Sequence, residues 1–80
     1  MKFTQYFLHT RERDDRKDIK LEWITYVFYN YEFEVIQKDG RFKRWAYIKE
    51  IDKYLRIIVL EYELTIHNAF LDRTFKIKNL

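Results

Sequence analysis

The sequence predicts an α+β domain in which two N-terminal helices pack on a four-stranded antiparallel sheet. Three observations lead there. Ile19, Trp23, Ile24, Val27 and Phe28 recur at spacings of three and four, an apolar stripe at the helical period. From Tyr31 onward the apolar period becomes two, which is the period of a strand. The connections between the later runs are too short for crossovers, so consecutive strands must run antiparallel and stack as a second layer.

Residues 3–8 read either as a short strand or as the lead-in to a helix. Thr10–Arg16 is rich in charged helix formers and predicts one or two helical turns. The second helix has Asp18 as its N-cap, Glu22 in its first turn and Asn30 as its stop. Tyr31–Lys38 alternates Phe33, Val35 and Gln37, and Asp39-Gly40 is a two-residue hairpin signal leading into Arg41–Ile51. A tight turn near Asp52-Lys53 opens Tyr54–Leu60. Another, around Glu61-Tyr62-Glu63, opens Leu64–Leu71. In Tyr54–Leu60, Leu55, Ile57 and Val59 share one face and Arg56, Ile58 and Leu60 the other; both are mostly apolar, as in a central strand. In Leu64–Leu71, strict alternation puts Leu64, Ile66, Asn68 and Phe70 under the helices. It leaves Thr65, His67, Ala69 and Leu71 on a partly open face.

The 80 residues predict a single domain, 1–80. A chain this short has a small core, which the 20% aromatic content enlarges per residue. Proline is absent and Gly40 is the only glycine, so no stretch reads as a flexible linker. Cysteine and serine are absent, which excludes a disulfide framework, a thiolate metal site and a serine or cysteine nucleophile. One glycine cannot build a phosphate-cradling loop. Two histidines without cysteine supply no spaced metal-ligand motif, so neither metal nor cofactor is expected. No run approaches the roughly 18 apolar residues of a spanning helix, and a cytoplasmic protein away from the membrane is the expectation.

The net charge of +3 is unevenly spread. Residues 38–56 hold seven cations against three anions, while residues 9–20 are nearly balanced. Cations within otherwise apolar strands are costly to bury unpaired, so they point to an anionic partner such as RNA or an acidic protein. With serine and cysteine gone, Arg, Lys, His and Tyr remain for acid–base and electrostatic chemistry. That set fits RNA cleavage, where the 2′-hydroxyl is the nucleophile and the protein supplies a base, an acid and cations for the phosphate.

Leu8-His9-Thr10-Arg11-Glu12-Arg13, Ile19, Glu22-Trp23-Ile24, Asp39-Gly40-Arg41, Leu55-Arg56-Ile57 and Thr65-Ile66-His67-Asn68-Ala69-Phe70 together resemble the DUF4258 family, which is related to BrnT-like and RelE/ParE-like toxins. The resemblance spans about residues 6–76. It implies a RelE-like fold and a small bacterial toxin that cleaves RNA, in some cases on the ribosome, and is neutralised by a cognate antitoxin. Family members commonly carry a His near the start of the first helix with an Arg four residues on; here these are His9 and Arg13. Many members have a proline after the second helix, where this chain has Asn30-Tyr31.

Each candidate has two readings. His9 and Arg13 are base and phosphate clamp on one helical face, or a helix-start histidine and a surface arginine paired with Glu12 or Asp14. Arg56 binds phosphate, or pairs with Glu50, Glu61 or Asp72. His67 and Arg73 form an acid–base pair with a cation on one side of an extended strand, or are a half-buried histidine and an edge arginine. Arg41, Lys43, Arg44 and Trp45 hold RNA phosphates and stack bases, or form a solvated hairpin with Trp45 in the core. Three functional expectations follow: a metal-independent endoribonuclease toxin, a non-catalytic RNA- or protein-binding module, and a homo-oligomer paired through the Tyr31–Lys38 edge, where Glu32 and Glu34 would discourage random pairing.

Overall fold

The computed structural model describes residues 1–13 and 16–75. The elements run β1 (Lys2–Phe3), α1 (Gln5–Thr10), α2 (Leu21–Asn30), β2 (Phe33–Ile36), β3 (Phe42–Ile48), β4 (Lys53–Leu60) and β5 (Thr65–Leu71). The sheet has five strands in the order β1-β5-β4-β3-β2, with both helices on one side. The expected four-stranded antiparallel sheet is therefore corrected to a mixed one. β1 pairs parallel to β5, Lys2 opposite Thr65 and Phe3 opposite Ile66, so a strand precedes the helices. Two residues are too few to show a period, which is why the sequence left residues 3–8 open between strand and helix. Both readings hold in succession.

Thr4 makes the switch. Its Oγ1 accepts from the Phe7 N–H at 3.0 Å and caps α1. The charged stretch Thr10–Arg16 is not the first helix: α1 lies earlier, and the chain leaves it through turns at residues 11–13 and 16–18. Helix propensity without an apolar stripe to bury is a weak force. α2 begins at Leu21, with Lys20 at the N-cap position instead of Asp18 and no side-chain cap. Ile19, just before that cap, is buried in the same cluster as Ile24, the placement of a hydrophobic staple. Apolar burial thus sets the start, and Trp23, Ile24, Val27 and Phe28 face the sheet as their spacing predicts.

The first hairpin is one residue longer than the Asp39-Gly40 signal predicts. Gln37 and Arg41 still pair (N–H to carbonyl, 2.8 Å), the Gly40 N–H closes a turn on the Gln37 carbonyl, and Gly40 sits at φ +88°. Three residues with glycine in the left-handed position match a bulged hairpin loop. β3 ends at Ile48 and gives way to a 3-10 turn, Lys49–Ile51, followed by Asp52 at φ +52°.

β4 is the central strand, as its apolar faces predict. Leu55, Ile57 and Val59 are fully buried beneath the helices. β5 departs from its predicted alternation. Val59 pairs with Ile66, but Ile58 pairs with Asn68, so His67 is an extra residue: a β-bulge. The bulge reverses the parity beyond it. Ala69 and Leu71 go to the helix side with Ile66, while Asn68 and Phe70 move to the opposite face. Among the described residues no helix is long and apolar enough to cross a membrane.

Candidate functional site

Alternation in β3, β4 and β5 turns a second set of side chains away from the helices. Register places Trp45, Arg56 and Phe70 in one row of this face, and Lys43, Ile58 and Asn68 in the next.

Arg56 occupies the middle of the first row. Its guanidinium lies 4.0 Å from the Phe70 ring centroid and 6.0 Å from that of Trp45. Its Nη1 is 3.8 Å from Asp72 Oδ2, which also accepts from Trp45 Nε1 at 3.0 Å. The other Asp72 oxygen accepts from the Thr74 and Phe75 backbone N–H groups and the Thr74 hydroxyl. Those bonds fold the chain back, and Phe75 stacks on Trp45 at 4.8 Å while touching Phe33 and Tyr54. Burial pushes the Asp72 carboxyl up; hydrogen bonds from Trp45 and Thr74 and the Arg56 charge outweigh it and hold the group below its ordinary value. Burial lowers Arg56, against the pull of Asp72, and its Nε is buried without a partner.

His67 lies at the other end of the face, three residues from Phe70 and so about 10 Å along the strand. Its Nδ1 is 3.1 Å from Thr4 Oγ1, and Tyr6 stacks on its ring at 4.8 Å. Burial lowers the proton affinity of the imidazole, and the Arg41 charge lowers it further, so the ring is neutral at neutral pH. Arg16 reaches over the β5 edge between these ends. Its Nη1 donates to Asn68 Oδ1 at 2.7 Å, and its guanidinium lies 5.3 Å from the Phe70 centroid. Phe70 therefore carries two guanidinium groups.

The structure brings His67, Arg41, Lys43, Arg56 and Trp45 to this face or its rim, and does not gather the other candidates with them. Arg44 is on the helix side. Its Nε is 2.6 Å from Glu34, its Nη1 donates to the Phe28 carbonyl, and its guanidinium lies over Phe28, Tyr31 and Phe42. It is a packed strut and is not available to RNA. Trp45 is only 7% exposed, sealed by Phe75, and cannot stack a base as it stands. His9 is exposed on α1, but the helix ends at Thr10, so Arg13 does not share a helical face with it. The Asp14 pairing weighed for Arg13 lies outside the described residues. β5 ends at Leu71, so alternation does not carry His67 and Arg73 to one side; Arg73 is exposed in the following turn. Glu32 and Glu34 do not stand free on the edge: one accepts from the Tyr47 N–H, the other holds Arg44.

Thr4, Tyr6 and Arg16 were missed. A threonine three residues before Phe7 carries an N-cap signal that was legible; nothing in the charged stretch distinguishes Arg16. Among the described residues, no three His, Cys, Asp or Glu side chains gather to hold a metal ion. No family model matches the chain, and neither a curated protein nor a solved structure matches it.

Proposed function

We propose that the chain acts on RNA through the sheet face turned away from its helices, as an RNA-cleaving toxin of a bacterial toxin–antitoxin pair. One observation carries this reading. The bulge sets an imidazole, held at Thr4 and Tyr6, on a face that also holds Lys43, Arg16 and Arg56, and burial with the Arg41 charge lowers its proton affinity. A neutral imidazole can take the proton of a 2′-hydroxyl, and nearby cations stabilise charge gathering on the phosphate. The edge strand β2, with Val35 and Ile36 exposed, is where an antitoxin segment or a second copy would add a strand. A cytoplasmic setting and ribosome-bound RNA belong to the same reading.

Induced expression is expected to arrest growth and shorten cellular RNA. His67→Ala should abolish both, with thermal stability changed by no more than about 1 kcal/mol, as for a half-buried histidine with one hydrogen bond. Intact RNA in cells making the wild-type chain would end this reading.

A second reading, RNA binding without cleavage, is favoured by the clamp on Arg56. A guanidinium already paired with Asp72 must give up that partner to grip a phosphate. Salt-dependent binding to single-stranded RNA that remains uncut is its signature.

A further inference from the structure

β2 is an outer strand of the sheet, and its free edge is short and specific. In an antiparallel pair, hydrogen-bonded residues alternate with non-bonded ones. The Gln37 N–H bonds the Arg41 carbonyl, so Val35 and Phe33 are the next residues whose main-chain groups face β3. Glu34 and Ile36 therefore turn their N–H and C=O groups outward. Exposure agrees: Glu34 is an exposed residue although its side chain is only 23% exposed, so its open area is mostly main chain. Val35 and Ile36, on opposite faces of the strand, are 51% and 64% exposed. Natural sheets guard such an edge with free charge. Here the glutamates are spent within the chain: Glu32 accepts from the Tyr47 N–H, and Glu34 holds Arg44.

We infer that a second copy of this chain adds to this edge, β2 against β2, and joins two sheets into one. A closed pair of like edges has two-fold symmetry, and strands related that way run antiparallel. Only three registers bond the outward residues to one another. Setting Glu34 against Glu34 of the partner subunit opposes like charges. Setting Ile36 against Ile36 of the partner subunit leaves one bonded pair within the strands, because β2 ends at Ile36. Setting Glu34 against Ile36 of the partner subunit gives two bonded pairs and places the dyad at Val35. The two Val35 side chains then meet at the closer, non-hydrogen-bonded spacing, and each Ile36 covers the stem of Glu34 of the partner subunit. Just beyond the strands the same register sets Glu32 against Lys38 of the partner subunit, a pair of opposite charges. This self-match in hydrogen bonds, apolar side chains and charge is what singles out a second copy as the occupant. The dyad stands perpendicular to the sheet, so both helix layers lie on one side and both basic faces on the other. The inference goes beyond the RNA reading and does not rest on it.

The test uses the full chain alone. Sedimentation equilibrium from about 10 μM to about 1 mM should show the mass rising from one chain toward two, a weak association suited to a small interface. Val35→Lys sets two ammonium groups at the dyad, and Ile36→Pro removes the outward donor of each copy. Each should raise the dimer Kd about tenfold or more. Both positions are exposed, and proline is accepted on an edge where the N–H faces solvent, so circular dichroism and melting at low concentration should stay close to wild type. The chain has no cysteine, so single-cysteine variants read the register. Val35→Cys should form a disulfide dimer under mild oxidation, its Cβ atoms facing across the dyad at about 4.5 Å. Ile36→Cys, set diagonally at about 7 Å or more, should not. A monomer throughout the range, a dimer indifferent to both Val35→Lys and Ile36→Pro, or Ile36→Cys cross-linking as readily as Val35→Cys would each overturn the assignment. An edge reserved for a different protein gives the first of these results. Because no RNA enters the assay, its failure is separate from failure of the ribonuclease reading.

Discussion

Asp72→Ala is expected to destabilise this protein more than any other single change on the basic face. The carboxylate accepts from Trp45 Nε1, Thr74 and Phe75, and it pairs with Arg56. Removing one member of a fully buried pair costs about 3–5 kcal/mol. The two side chains here are 24% and 9% exposed, so part of that is lost to solvent screening. The freed Trp45 and Phe75 donors add about 1 kcal/mol, giving roughly 3 kcal/mol in total. For a domain of this size that corresponds to a fall in Tm of about 15 °C. Urea unfolding at pH 7, followed by tryptophan fluorescence, measures it; a loss below about 1 kcal/mol would refute the idea that Asp72 organises this end of the face. The pH dependence gives a second check. The folded carboxyl titrates below its ordinary value of 3.8, so its contribution is complete above that pH and fades as pH falls through the depressed value. Wild type and variant should therefore converge in stability in strong acid and differ fully at neutrality.

Two other predictions concern neighbouring groups. Arg44→Met should lower stability by about 2 kcal/mol in the same unfolding assay, because Glu34 and the Phe28 carbonyl lose a charged donor, yet leave RNA affinity unchanged. The His67 imidazole is held below its ordinary pKa, so stability of the free protein should decline as pH drops below about 6.5 and the ring is forced to charge. RNA affinity should move oppositely, since a phosphate favours the imidazolium; fluorescence anisotropy from pH 7.5 to 5.5 should show tightening that His67→Gln lacks.

The legible part of this fold is the part set by local periodicity. The 3–4 spacing from Ile19 to Phe28 placed α2, and the alternation of Leu55, Ile57 and Val59 placed the central strand, because each pattern repeats often enough to choose one burial geometry. The candidate site was legible in composition more than in arrangement. Arg56, His67, Arg41 and Lys43 do share a face or its rim, but Arg44 lies on the other side of the sheet. Arg41, Lys43 and Trp45 alternate with it, and reading these neighbours as one patch ignored that alternation.

What the sequence by itself determined is the inventory and the order: no serine or cysteine chemistry, one glycine at a hairpin, helices ahead of the main run of strands, and a basic middle. The tertiary structure alone decided the rest. A single extra residue at His67 reversed the faces of β5, a two-residue strand paired with the start of β5, and Asp72 folded Phe75 over Trp45. Each depends on partners distant in the chain: His67 on Thr4 and Tyr6, β1 on Thr65 and Ile66, Asp72 on Trp45 and Arg56. Bulges and long-range clamps are chosen by the packing they allow, and no window of neighbouring residues contains that information.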